Sequence, residues 1–199
     1  MNGLEEKALK LGSGDALLIV DVQVDFLPSG NLAVPRGDEV VPALNRYLET
    51  TGSLGLPVFA TRDLHPPNHC SFEKQGGIWP PHCVADSAGA EFADNLHLPS
   101  STTIISKATA IEKDAYSGFE GTDLDQQLRD AGIKRLLIGG LATDYCVLNT
   151  VKDALKLGYD VLLLKDAIRA VDVQPEDGKN AEEEMVQLGA TPVTLKSFR

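Results

Sequence analysis

Cysteine is scarce in this chain, with 3 among 199 residues, beside 2 methionines and 1 tryptophan. An odd, small set of thiols cannot all be paired in a disulfide framework, so a reducing compartment is expected and at least one thiol is left to explain. Positive charge is short as well: 18 Lys and Arg stand against 29 Asp and Glu, a net charge of −11. That deficit argues against a nucleic-acid partner, which needs clustered basic side chains. Long apolar runs are missing: the strongest, 16–20, is far too short for a membrane span or a leader core, and Glu5 and Glu6 stand where a leader would be basic. The expectation is a cytoplasmic protein without a membrane segment. Gly12-Ser13-Gly14 precedes the first strand instead of following it, and no P-loop or His-Glu-x-x-His occurs, so neither a dinucleotide nor ATP is expected.

What is present suits a globular protein. With 43% hydrophobic and 24% charged residues, a chain of this length can bury a sizeable core as one domain, 1–199, with a short N-terminal extension over 1–14. Apolar, β-branched runs recur at 16–20, 57–61, 102–106, 135–138, 160–164 and 191–195, with helix-period stretches between most of them. This alternation predicts an α/β fold: a three-layer α-β-α domain around a mostly parallel six-stranded sheet of Rossmann-like type. Val40, Val41, Leu44, Tyr47 and Leu48 form one helical stripe. Leu124, Leu128 and Ala131 form a second, opened by Thr122 as N-cap and closed by Gly132; Val147, Val151, Ala154 and Leu155 form a third; Met185 and Leu188 mark a fourth. The segment 64–98, rich in Pro, Gly and His, has no period and reads as an excursion on the carboxyl edge of the sheet, where such folds build sites.

The sharpest local signal is LLIGGLATDYCVLNTVKDALKLG, a buried strand running through a Gly-rich turn into a helix whose first turn carries Cys146. A helix N-terminus favours the thiolate, the nucleophilic form, so a lowered pKa is expected there. An isolated cysteine is more often a small buried hydrophobe, and the strand–turn–helix context reverses that preference here. Amides of Ala142 and Cys146 fall where an oxyanion would form. Asp21 ends the first apolar strand and Lys107 ends the third; each alone is more often a rim residue, but an acid, a base and a thiol at three parallel strand ends converge on one edge.

In TRDLHPPNHCSF, Asp63 and His65 are two apart on extended chain and point the same way, which suits chelation of one ion. Pro66 and Pro67 forbid the helix that would make His65 and His69 neighbours, so His69 reads as a residue behind the ligands, with direct ligation the lesser reading. His82 in WPPHC could complete a three-ligand site, while His97 reads as solvated. A carboxylate with two imidazoles admits zinc, the first expectation, and also iron or manganese. Phe26 and Trp79 stand near these residues and serve equally as a clamp for a flat ring or as lid packing. Oligomeric state is open, and a homo-oligomer is compatible.

Five ordered blocks, LLIVDVQVDFLPSGNLAVP, TRDLHPPNHCSF, IWPPHCV, ISKATAIEKDAYSGF and GGLATDYCV, carry a resemblance across nearly the whole chain. The sequence resembles the nicotinamidases, or pyrazinamidases, among the isochorismatase-like cysteine hydrolases. The resemblance implies a triad of Asp21, Lys107 and Cys146, an oxyanion site at Ala142 and Cys146, and a divalent metal held by Asp63, His65 and His82. It also implies a ring sandwiched by Phe26 and Trp79 with Tyr116 closing the pocket, a cis peptide at Leu141–Ala142, and hydrolysis of nicotinamide to nicotinate and ammonia in NAD salvage. Relatives acting on other small amides or ureides share the triad and in general lack the metal ligands. The stretches VADSAGA after His82 and ATAIEKDAYSGF after Lys107 depart from the usual family pattern.

Overall fold

The computed structural model describes residues 9–198, so the first part of the expected extension 1–14 lies outside the described residues. Six strands, β1 (Asp15–Val20), β2 (Val58–Asp63), β3 (Thr103–Lys107), β4 (Arg135–Leu141), β5 (Asp160–Arg169) and β6 (Thr191–Val193), make one sheet in the order β3-β2-β1-β4-β5-β6. Every pairing in it is parallel. The order reverses direction between β1 and β4, and at such a switch point the two outgoing chains part and leave a crevice beyond their carboxyl ends.

Alternation along β1 feeds two cores. Leu17 and Ile19 join Val40, Val41, Leu44, Tyr47 and Leu48 of α1 (Val40–Ser53) on one face. Ala16, Leu18 and Val20 join Leu124 and Leu128 of α2 (Leu124–Asp130), Val151 and Ala154 of α3 (Leu148–Lys156), and Met185 of α4 (Asp177–Gln187) on the other. β1 is buried along its whole length, as a central parallel strand covered on both faces must be. The expected three layers are therefore present.

The excursion 64–98 lies over the first core through Cys83, Ala90, Ala93 and Leu96. Its backbone is tied by an isolated bridge of His65 to Val84 and another of Phe72 to Trp79. Two expectations shift locally. Asp123, not Thr122, stands at the N-cap of α2; the Thr122 hydroxyl donates to the Gly118 carbonyl at 2.6 Å and accepts from the Leu124 N–H at 3.3 Å. Cys146 does not sit in the first turn of an α-helix: Thr143–Val147 is a π-helical turn that leads into α3.

Candidate active site

Register places the polar groups. Asp63 is paired with Lys107 across β2 and β3, so their side chains rise from one edge in one row. Asp21 follows β1 directly, with φ 47°, a left-handed conformation that Asp tolerates better than most residues. Gly140 of β4, with φ 128°, lies so close to β1 that a Cβ there would overlap the Val20 carbonyl oxygen, so only glycine lets β4 approach the switch point. The chain then passes through a cis peptide at Leu141–Ala142 into the π-turn. The Tyr145 and Val147 amides both donate to the Ala142 carbonyl at 3.1 Å, while among the described residues the Ala142 amide donates to no backbone acceptor.

Lys107 is the centre of the cluster. Its Nζ lies 3.0 Å from Asp21 Oδ2, 3.4 Å from Cys146 Sγ and 3.1 Å from the Ala115 carbonyl, and forms a short ion pair with Asp63 Oδ1. Burial opposes the ammonium charge, but Asp21, Asp63 and Cys146 outweigh it and hold Lys107 well above its ordinary range. Asp21 is fully buried, and that burial raises its carboxyl from 3.8 against the opposing pull of Lys107, with Asp63 adding to the rise. Thr61 donates to Asp21 Oδ1 at 2.6 Å, while Oδ2 has no aligned hydrogen-bond donor.

Cys146 departs from expectation. Burial pushes its thiol well above the ordinary value, Lys107 opposes, and Asp21 and Asp63 push it further up. The local helix-end argument loses to enclosure and to two carboxylates, one of which, Asp21, stands beside the thiol.

The second group is Asp63, His65 and His82, all buried, with one donor atom from each lying within 4.8 Å of the others. His65 Nε2 is buried without a hydrogen-bond partner and stands 3.7 Å from Asp63 Oδ2. Burial, followed by the charges at His82, His69 and Lys107, lowers the His65 pKa to about 3, which keeps the ring neutral as ligation requires. His82 Nδ1 lies 2.8 Å from the Pro80 carbonyl and His65 Nδ1 lies 3.3 Å from the Ala108 carbonyl, contacts of the kind that orient a ligating imidazole. An orphaned imidazole nitrogen beside a carboxylate and a second imidazole fits a divalent transition ion. His69 stacks on His65 with centroids 4.2 Å apart, and its two nitrogens lie 2.7 Å from Ser71 Oγ and 3.2 Å from the Lys113 carbonyl, so it stands behind the group. His97 is exposed.

Both groups open into one cleft lined by Phe26, Leu32, Val34, Trp79, Tyr116, Tyr145 and Val171, with Asp63, His82, Ala142 and Cys146 among its walls. Trp79 Nε1 donates to the Tyr116 hydroxyl at 3.0 Å, and Tyr145 meets the Trp79 ring edge-on at 5.1 Å. The apolar residues Leu32, Val34, Tyr145 and Val171 carry no signal of their own in the sequence. Only Tyr145 stands close enough to a singled-out residue, Cys146, to have been suspected.

A buried acid, ammonium and thiol at a parallel-sheet switch point, beside a metal-type donor set, define an enzyme-like centre, and the comparisons agree in class. The chain belongs to the isochorismatase family, whose domain matches residues 15–197. A nicotinamidase of Escherichia coli is 42% identical over 204 residues, covering 92% of this chain and 96% of the relative. A pyrazinamidase of Pyrococcus horikoshii, solved in complex with zinc, has a TM-score of 0.88 at 49% identity, covering 92% of this chain and 99% of its own. A protein of L. infantum solved with nicotinate has a TM-score of 0.88 at 35% identity, covering 96% and 98%. The resemblance read from the five sequence blocks, and the isochorismatase-like fold with it, are borne out.

Proposed function

We propose that this chain is, over its length, a single hydrolase unit that converts nicotinamide to nicotinate and ammonia through a thioester on Cys146. The observation that carries this reading is the position of Lys107 Nζ, which touches Cys146, Asp21 and Asp63 at once and so joins a nucleophile and base to a metal-type donor set under one aromatic cleft. Substrates named for the relatives support it.

The flat, apolar mouth formed by Phe26, Trp79 and Tyr116 receives a ring, with the carboxamide directed to Cys146. Asp21 takes the thiol proton as sulfur bonds to the carboxamide carbon, and the amides of Ala142 and Cys146 receive the oxyanion. The C–N bond then breaks with the Asp21 proton passing to the leaving nitrogen. Water, activated by Asp21, hydrolyses the thioester and the thiol is restored. Lys107 holds Asp21 and the developing sulfur anion in one electrostatic well. Asp63, His65 and His82 would hold a divalent ion, zinc being the one named for the P. horikoshii relative, which when bound supplies a Lewis-acid anchor for a ring nitrogen. A free thiol is compatible with the reducing cytoplasm, where nicotinate would feed NAD salvage.

The test is ammonia release from nicotinamide by the purified protein, with and without chelator, against Cys146→Ala. Release that needs Cys146 and weakens on chelation is the expected result. No release from zinc-loaded protein would overturn the nicotinamide assignment and point to another small amide or ureide.

A further inference from the structure

Two polar side chains directly after β1 take no part in the chemistry above, yet Gln23 is 0% and Asp25 3% exposed. Gln23 is saturated: its Oε1 accepts the Asp63 N–H at 2.8 Å, and its Nε2 donates to the Asp63 carbonyl at 2.8 Å and to the Ala90 carbonyl at 2.9 Å. The pair of bonds to Asp63 reproduces, with a side-chain amide, what a residue on a neighbouring strand would provide. It does so beyond Val20 and Thr61, where the β1–β2 ladder has ended. The third bond reaches into the excursion that carries Trp79 and His82.

Asp25 Oδ2 accepts the Cys83 N–H at 2.7 Å and Oδ1 accepts the Asn31 N–H at 3.1 Å. Gly89 lies flat on this carboxylate, and a Cβ there would overlap it. Among the described residues Asp25 has no basic partner, and a buried carboxylate satisfied by backbone amides alone is costly to keep. What it holds is specific: Cys83, at φ 45° in the left-handed region, follows His82 directly. Released from Asp25, that backbone would relax and carry the His82 ring with it.

We infer that Gln23 and Asp25 are positioning residues that brace the metal donor set, Gln23 by fixing the backbone of Asp63 and Asp25 by fixing the turn that presents His82. The inference rests on the reading that Asp63, His65 and His82 hold a divalent ion. Partners of this kind, one layer behind the ligands, change metal affinity by about 10–100-fold when they are lost.

The experiment measures Zn²⁺ affinity by competition with a chromophoric chelator, together with melting of the metal-free and zinc-loaded protein, for the wild type, Gln23→Glu, Asp25→Asn and His82→Ala. Gln23→Glu keeps the acceptor for the Asp63 amide and loses both Nε2 donations; Asp25→Asn keeps shape and loses the charge. Each is expected to weaken zinc binding by about 10–100-fold, and to shrink the zinc-induced rise in Tm beyond any fall in the metal-free Tm. Wild-type zinc affinity in both variants, with or without a lower metal-free Tm, would overturn the brace. If the wild type binds no zinc, or binds it equally well with His82→Ala, the metal reading itself fails. Should Gln23→Glu not fold, Gln23→Asn, which keeps the amide one methylene short, gives the same reading.

Discussion

At Lys107 the structural role and the proposed chemistry fall on one side chain. It is 1% exposed, and it faces two carboxylates that would otherwise confront each other in a low-dielectric interior. Removing one partner of a buried ionic group leaves the others uncompensated, at about 3–5 kcal/mol. Lys107→Met should therefore lower stability by about that amount in urea unfolding, as well as abolish turnover; an unchanged midpoint would show that the three charges are not held as a unit. Asp21 offers a test with a definite sign. As base it must be ionised, and burial has already raised its carboxyl from 3.8, with Asp63 adding to the rise while Lys107 and Thr61 pull the other way. Thr61→Val deletes a bond to the ionised form, so the acid limb of kcat/KM should move to higher pH. A limb that stays in place or moves down would remove Asp21 as the group being titrated.

Elements decide which of these groups can meet. The sequence pattern located all six strands to within a few residues, because buried parallel strands read as continuous apolar runs with punctuated ends. It shortened β4 and β5, whose last residues include Gly139, Gly140 and Asp166, types that carry no strand signal. The π-turn at Thr143–Val147 was not legible, since it arises from tertiary packing around Ala142 and not from local propensity. For the same reason the thiol's shift has the opposite sign from that expected of a helix end: burial and neighbouring carboxylates are tertiary facts. Gly140 is the element-scale test. Gly140→Ala should cost at least about 1–3 kcal/mol from the positive φ alone, with added loss from contact with the Val20 carbonyl, and a Tm equal to wild type would mean that β1 and β4 can separate without cost.

Across the whole molecule, two apolar layers hold the sheet, and the polar cluster sits where its edge opens. Asp21, Lys107, Cys146, Asp63, His65 and His82 could be picked out from sequence because each stands beside a strand end or in the one aperiodic excursion. Gln23, Thr61 and the cleft residues Leu32, Val34 and Val171 could not, because their roles exist only across distances of tens of residues. Trp79 is the only tryptophan in the chain and lines the cleft, so its fluorescence reports on that space alone. Nicotinate added to Cys146→Ala should change the emission saturably; an unaltered signal at occupancy shown by dialysis would place the ligand elsewhere.

The central claim, a covalent acyl group on Cys146, is tested most directly by turning nicotinamide over in the presence of hydroxylamine and separating the products. The account predicts nicotinoyl hydroxamate at the expense of nicotinate, in a ratio that rises with hydroxylamine while nicotinamide consumption still requires Cys146. Nicotinate as sole product at every hydroxylamine concentration, or undiminished consumption by Cys146→Ala, would contradict it.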